Sequence, residues 1–346
     1  MTAASLPQRP TLVTLARQIG VSRQTVSNVI NAPHLVKPST RERVLKAVIE
    51  SGYRPSVAAR TLRTNRSMML GLRLFPINNG ITRAVMDRFL HQLATIAHAH
   101  GYRLTLFTAA DDNEELDQLL ELAQRGAIDG CVLTDTSATD RRPEVLSAEG
   151  IQFVSFGRPW GQPGATHPWV DVDGGAGTAK ATAYLRSLGH ERIGFLGWPA
   201  GSGVGDDRHS GWLRTLSPPG RTDADVLTVR VEDGTHSGAQ GMHRLLEAGA
   251  TAIVCTSDTL ALGAASAALK AGIALPVIGF DDTPTAAALG MSSVAQPLEE
   301  AAVAILEALV AILTDRAVEP RTTLLEPDLV LRAEGPFRIP QPPERN

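Results

Sequence analysis

Leu12, Leu15, Ala16 and Ile19 recur at helical spacing, Gly20 and Val21 interrupt them, and Val26, Val29 and Ile30 resume the rhythm. The spacing predicts two short helices joined by a glycine turn, a helix-turn-helix. Ser22 is placed to cap the second helix, which leaves Arg23, Gln24, Thr25, Ser27 and Asn28 at its start or on its open face. By itself this pattern also fits any small three-helix cap. Further on, Ser39 and Glu42 form an SxxE pair, a capping box, ahead of Val44, Leu45, Val48 and Ile49; this predicts a third amphipathic helix that Gly52 ends. Pro55 then stops any continuation, and Ser56 opens a run to Leu62 that is too short to be a stable helix alone in water.

The texture changes at Met68. Met69 to Phe75, Arg103 to Phe107, Gly130 to Thr134 and Phe153 to Phe156 read as buried strands, separated by helical patterns such as Thr82 to His100 and Asn113 to Arg125. The alternation restarts with strands at Ile193 to Leu196, Val226 to Val231, Ala252 to Cys255 and Val277 to Phe280, and helices near 206–216, 236–248 and 259–271. Two tandem sets of this kind predict two α/β lobes with parallel sheets. A late helix, Glu299 to Leu313, and strands near Thr322 to Leu325 and Leu329 to Leu331 follow the second set, so the chain is expected to cross between the lobes more than once. The expected organisation is a disordered arm over 1–10, a headpiece over 11–54, a hinge helix and linker over 55–67, a two-lobed domain over 68–335 and a tail over 336–346. Lobe 1 is expected over about 68–160 and lobe 2 over about 165–290.

Charge sharpens this division. The whole chain has a formal net charge of −3, yet residues 1–66 hold 11 Lys and Arg against only Glu42 and Glu50. A basic head on an acidic body points to a polyanion as partner of the head, nucleic acid above all. No apolar run approaches the length of a membrane span and no secretory leader is recognisable, so the expectation is a cytoplasmic protein without membrane contact. Cys131 and Cys255 lie in apolar strand-like runs and suggest neither a disulfide framework nor a metal site. The nine His offer no credible metal-ligand pair, and no cofactor is implied.

In open parallel sheets a ligand sits beyond the carboxyl ends of the strands. There the sequence places Phe75, Asp111, Asp135, Gly157 with Arg158, Trp198, Asp233, Ser257 with Asp258, and Asp281 with Asp282. Carboxylates and Arg bond hydroxyls while aromatic faces cover a sugar ring, so this set suits a polyol. The four Trp, at 160, 169, 198 and 212, are expected in loops or helix starts on the same side. An enzyme and a free sugar-binding protein are the competing readings. The loop after Gly197 lacks GxGxxG spacing, GGAGTAK at 174–180 lacks that of a phosphate loop, no GxSxG occurs, and adjacent Asp281 and Asp282 are unlike the opposed carboxylates of a glycosidase. A sensor that closes on its ligand without chemistry is the better account, and no catalytic residue is assigned.

The order VSRQTVSNVIN, then STRERVLKAVIESGYRPSVAARTLR, resembles the headpiece and hinge of the LacI/GalR family of bacterial transcription regulators, densely over residues 11–63. The likeness continues through GWPAGSGVGDDRHSGW, CTSDTLALGA, VIGFDDT and SSVAQP. It implies a homodimeric repressor that reads a pseudo-palindromic double-stranded operator, with an effector domain like periplasmic sugar-binding proteins. Expected DNA contacts are Ser22, Arg23, Gln24, Thr25, Asn28, Asn31 and Lys37 in the headpiece and Ala59, Arg60 and Leu62 in the hinge, Leu62 as a wedge in the minor groove. Arg208 matches the family's effector-binding Arg, Asp281 its Asp and Gln296 a further pocket position. With Phe75, Arg158, Trp198, Ser257 and Asp258 they make the expected effector site. Ser257 stands for an Asn and Gly157 for an Asp of the lactose-type pocket, which implies a different ligand, a glucoside-like mono- or disaccharide. The proline-rich tail lacks leucine heptads, so no tetramerising coiled coil is expected.

Overall fold

A computed structural model describes residues 10–53, 66–75, 84–216, 227–316 and 322–339, and of Asn31 the backbone alone. Residues 1–9 of the expected arm, the hinge residues Ala59, Arg60 and Leu62, and residues 340–346 of the expected tail lie outside these residues. The chain divides into two compact units, 1–67 and 68–346.

In the first unit, α1 (Leu12–Ile19) begins at Thr11, whose hydroxyl accepts from Thr14 N while Thr14 Oγ1 accepts from Thr11 N. It ends at Gly20, whose φ of 70° is a conformation a β-carbon disfavours. Ser22 caps α2 (Arg23–Asn31), accepting from Thr25 N at 3.0 Å. A 3₁₀ turn (Pro33–Leu35) leads to α3 (Pro38–Ser51). The capping box expected at Ser39 and Glu42 is absent: Pro38 is already the first residue of α3, Lys37 is its cap, and Ser39 lies inside the helix. Proline fits this first position because its missing N–H would have had no partner. Leu15, Ala16, Val26, Val29, Val44, Ala47 and Tyr53 close over one another as the core of the unit.

The second unit starts with β1 (Met69–Leu74), α4 (Ala84–Ala99), β2 (Arg103–Thr108), α5 (Asp112–Gln124), β3 (Gly130–Leu133), α6 (Arg142–Ala148), β4 (Gln152–Phe156) and β5 (Trp169–Val172). The chain then enters a second lobe with α7 (Gly174–Ser187), β6 (Ile193–Gly197), α8 (Gly203–Leu216), β7 (Thr228–Arg230), α9 (Thr235–Glu247), β8 (Ala252–Cys255), α10 (Asp258–Lys270), β9 (Val277–Phe280), α11 (Pro284–Ala288) and β10 (Ser293–Ala295). It returns to lobe 1 for α12 (Leu298–Leu313) and β11 (Thr322–Leu325), and goes back to lobe 2 for β12 (Asp328–Val330). The sheets run β11-β5-β4-β3-β1-β2 and β12-β10-β9-β8-β6-β7, parallel throughout except where β12 pairs antiparallel with β10. The expected fold class, a helical headpiece and two parallel-sheet lobes, is the observed one.

Two strands, β5 and β10, carry no sequence expectation. β5 falls inside the span read as lobe 2 yet pairs with β4 and β11 in lobe 1. Trp169 therefore opens a strand, and Trp212, fully buried in α8 against Phe195 and His209, belongs to the core of lobe 2; neither is the loop residue expected. Glycines set how closely α7 and α8 approach. A methyl group on Gly211 would stand 1.9 Å from Gly175 O, and one on Gly174 would stand 2.9 Å from Arg208 Cγ. Lobe 1 also buries an ionic cluster in which the Arg142 guanidinium meets Asp140 at 2.7 Å and Glu115 at 2.5 Å, with Arg73 at 3.0 Å from Glu115. Both thiols are buried, which pushes their pKa upward.

Candidate functional site

On the headpiece, Val26 and Val29 turn inward and hold α2 against the core, which leaves Ser22, Arg23 and Gln24 exposed and Thr25, Ser27 and Asn28 half-buried. Gln24 Nε2 donates to Asn28 Oδ1 at 2.8 Å, so two amides able to pair with adenine lie side by side one helical turn apart. Lys37 is exposed beyond the 3₁₀ turn. The groups on α2 are positioned by a small hydrophobic core and not by loops.

In the second unit, the carboxyl ends of both sheets face a cavity of about 360 Å³. Lobe 1 supplies Phe75 after β1, Asp135 and Thr136 after β3, Phe156 and Gly157 from β4, and Asp171 and Val172 from β5. Lobe 2 supplies Trp198 after β6, Val204 and Arg208 from α8, Asp233 after β7, Thr283 after β9 and Gln296 after β10. Asp281, also in the wall, follows β9 with a φ of 109°, and Asp135 has 57°. Such backbone is costly for a residue with a side chain and concentrates at binding sites.

Arg208 sits at the centre. Its Nη1 donates to Thr256 O and lies 3.7 Å from Asp281 Oδ1, while its guanidinium stacks on Phe280 at 3.6 Å and faces Trp198 at 5.2 Å. Gln296 Nε2 donates to Asp281 Oδ1 at 2.7 Å. Two buried donors in this wall, Arg208 Nε and Trp198 Nε1, have no hydrogen-bond partner. A buried donor without an acceptor costs about 1–3 kcal/mol, and a ligand oxygen would recover it. Burial lowers the pKa of Arg208 against the opposing carboxylates, and it pushes Asp281 up to about 7 because the Arg208 charge only partly offsets the loss of water.

That shift carries a sign for stability. An Asp held near 7 when folded and near 4 when unfolded takes up a proton on folding, so its contribution is present in acid and is lost as the pH rises to about 7. Asp258, raised to about 6 by burial, acts in the same direction. Unfolding midpoints measured between pH 4 and 8 should fall with pH, and Asp281→Asn, which tolerates the same backbone, should flatten the upper part of the fall. An unaltered profile in this variant would place the proton elsewhere.

Of the expected effector residues, Phe75, Trp198, Arg208, Asp281 and Gln296 line the one cavity. Arg158, Ser257 and Asp258 are not in its lining. Ser257 caps α10 and donates to Asp233 at 2.5 Å; Asp258 accepts from Thr283 N at 2.7 Å and Ser293 Oγ at 2.6 Å, tying β9 to β10. Asp111, also read at a strand end, caps α5 through Asn113 N and Glu114 N. The sequence reading missed Asp171, Phe156, Val204 and Thr283. The alternation in Trp169-Val170-Asp171-Val172 was the available signal for the first of these. Among the described residues no His, Cys, Asp and Glu cluster fits a metal ion, and no helix is long and apolar enough to cross a membrane.

Residues 11–56 match the family described as bacterial regulatory proteins, lacI family, and residues 182–333 match the periplasmic binding protein-like domain. The HTH-type transcriptional regulator AglR of Rhizobium meliloti (strain 1021) is 33% identical over 343 residues, 95% of this chain and 96% of its own. CelR of Thermobifida fusca, another HTH-type transcriptional regulator, is 32% identical over 346 residues, 95% and 99% of the two chains. A LacI-family regulatory protein from Chloroflexus aggregans superposes with a TM-score of 0.72 at 35% identity, over 78% of this chain and 98% of that one. A CelR–cellobiose complex does so with 0.69 at 28% identity, over 94% and 100%. With a basic helix-turn-helix head and two lobes around a cavity that sets Arg208 and carboxylates among aromatic and aliphatic side chains, the chain belongs to the lacI family of bacterial regulatory proteins and is a DNA-binding transcription regulator.

Proposed function

We propose that this regulator represses carbohydrate-utilisation genes, binding a roughly palindromic operator as a homodimer and changing its operator affinity when a neutral mono- or disaccharide enters the cleft between the lobes. The observation that carries the proposal is the wall itself: unpaired Arg208 Nε and Trp198 Nε1, the carboxylates of Asp135, Asp171, Asp233 and Asp281, and the rings of Phe75, Phe156 and Trp198. Carboxylates accept from hydroxyls, the free N–H groups donate to ring or hydroxyl oxygens, and aromatic faces cover C–H surface. Four carboxylates against one guanidinium disfavour a phosphorylated or acidic sugar. The relatives support a sugar, since CelR has been solved with cellobiose.

The test is an operator titration at fixed salt with and without each of a panel of neutral disaccharides, their monosaccharides and sugar phosphates. A shift by a neutral sugar and none by the phosphates is expected. A response confined to the phosphates would reject this reading.

For the head, Gln24→Ala and Asn28→Ala are expected to change base preference at one position of the half-site, by about 1–3 kcal/mol. Lys37→Ala should weaken all sequences alike and reduce the salt slope by about one. Selection of half-sites from a random pool distinguishes the two behaviours. The same consensus from all three variants would contradict the assignment of the amides to base edges.

A further inference from the structure

Arg158 leaves β4 through a backbone that only glycine suits. Gly157 has a φ of 121°, and a methyl group on it would lie 2.4 Å from Thr136 Oγ1, the hydroxyl that fixes Arg158 O at 2.9 Å. Held there, the guanidinium spans the two lobes. Nε donates to Asp171 Oδ2 at 2.6 Å and Nη2 to Val172 O at 3.2 Å, both in lobe 1. Nη2 also reaches Asp207 Oδ2 in lobe 2 at 3.4 Å. Asp207 precedes Arg208 on α8, and its Oδ2 accepts from Gly175 N at 2.8 Å, where the chain first crosses between lobes. The same strap carries Trp160, stacked on Arg158 at 4.6 Å and seated on Gly203, the first residue of α8, where a methyl group would stand 2.2 Å from the indole.

One lobe 1 segment thus grips the helix that carries Arg208 at two places. The bond to Asp207 is the longest that Arg158 makes, at the outer limit of hydrogen bonding, and of its three guanidinium bonds it is the one that joins the lobes; Arg88 Nη1 of lobe 1 also crosses, donating to Asp281 O at 3.2 Å and Asp282 O at 3.0 Å. A separation of the lobes at this point breaks the bond to Asp207, while those to Asp171 and Val172 stay within lobe 1.

We infer that Arg158 is a positioning residue that couples the cleft to the lobe arrangement: it holds Asp207, and through it α8, only when the lobes stand at this separation. The inference rests on the proposed effector cleft, but its first test needs no sugar. Cys131 and Cys255 are buried, so nitroxide labels on Glu149→Cys in lobe 1 and Glu247→Cys in lobe 2 report the interlobe distance in full-length protein diluted with unlabelled chain. Arg158→Gln and Asp207→Asn should each broaden and lengthen that distance relative to the parent. The double variant should add nothing to either. Distances identical to the parent's in both single variants would overturn the inference.

The second test uses the neutral disaccharide that shifts the parent's operator affinity most. Arg158→Gln should bind it within a few-fold of the parent, while the ratio of operator affinities with and without sugar, about 5- to 150-fold in coupled systems, collapses towards one. Loss of sugar affinity with the ratio preserved at saturation would make Arg158 a direct ligand contact and overturn the positioning role. If no sugar moves the parent, the sugar reading fails by itself and the label distances decide the role of Arg158.

Discussion

Arg208→Met and Asp281→Asn are each expected to leave operator binding near the parent's and to remove its response to sugar. Methionine retains the bulk that packs on Phe280 but offers no donor to Thr256 O or to a ligand. Asparagine keeps the shape and the bond partner of Gln296 while removing the acceptor pair that a sugar diol needs. Each loss should weaken sugar binding about ten- to a hundred-fold, since a buried partner is left unpaired. A ligand moves an equilibrium only through the difference in its affinity for two arrangements, so weaker binding at this site means weaker regulation and not weaker repression. Calorimetry for the sugar and operator titration for the DNA measure the two quantities separately. A parent-like sugar response in both variants would place the effector elsewhere.

The second large effect is expected from a residue that touches no ligand. In Gly211→Ala the new methyl group would lie 1.9 Å from Gly175 O and 2.5 Å from Thr178 Oγ1, and backbone cannot turn aside as a side chain can. The α7–α8 pair must separate, at a cost of about 1–3 kcal/mol for overpacking. Thr178 Oγ1 also donates to Arg208 O at 2.6 Å, so the displacement reaches the pocket directly. Thermal unfolding and sugar affinity should therefore fall together. A variant with the parent's melting temperature and affinity would show that the helices have room to spare.

The sequence reveals the headpiece well because each of its helices shows a face: Leu15 with Ala16, and Val26 with Val29, lie on single stripes that a three-helix core must bury. It reveals the cavity through strand ends, and Phe75, Trp198, Arg208, Asp281 and Gln296 do converge. It fails for β5 and β10 because strands of four and three residues carrying Asp171 and Ser293 are too short and too polar to set a period. Trp212 misleads as a loop aromatic, although it stands four residues after Arg208 on the same buried face of α8. Most instructive is GGAGTAK, legible only as a failed phosphate loop. Gly174 and Gly175 serve proximity: with no side chains they let α8 bring Arg208 against the start of α7.

The late return of the chain to lobe 1 bears on how the protein is made. Ala301, Ala302, Ile305, Leu306 and Leu309 of α12 are fully buried in the lobe 1 core, beside Leu70, Phe89 and Leu93, which are translated more than 200 residues earlier. On the ribosome the first five strands emerge with their apolar face uncovered and wait while all of lobe 2 up to β10 is synthesised. At bacterial elongation rates, about 5–20 residues per second, the gap lasts on the order of ten seconds. Lobe 2 by then lacks its edge strand β12 and the late contacts of Phe337 and Ile339 but has the rest of its core. Lobe 1, although synthesised first, thus waits longest for its core, and it is the half of the effector domain that a chain broken off before α12 leaves exposed to aggregation and to chaperones.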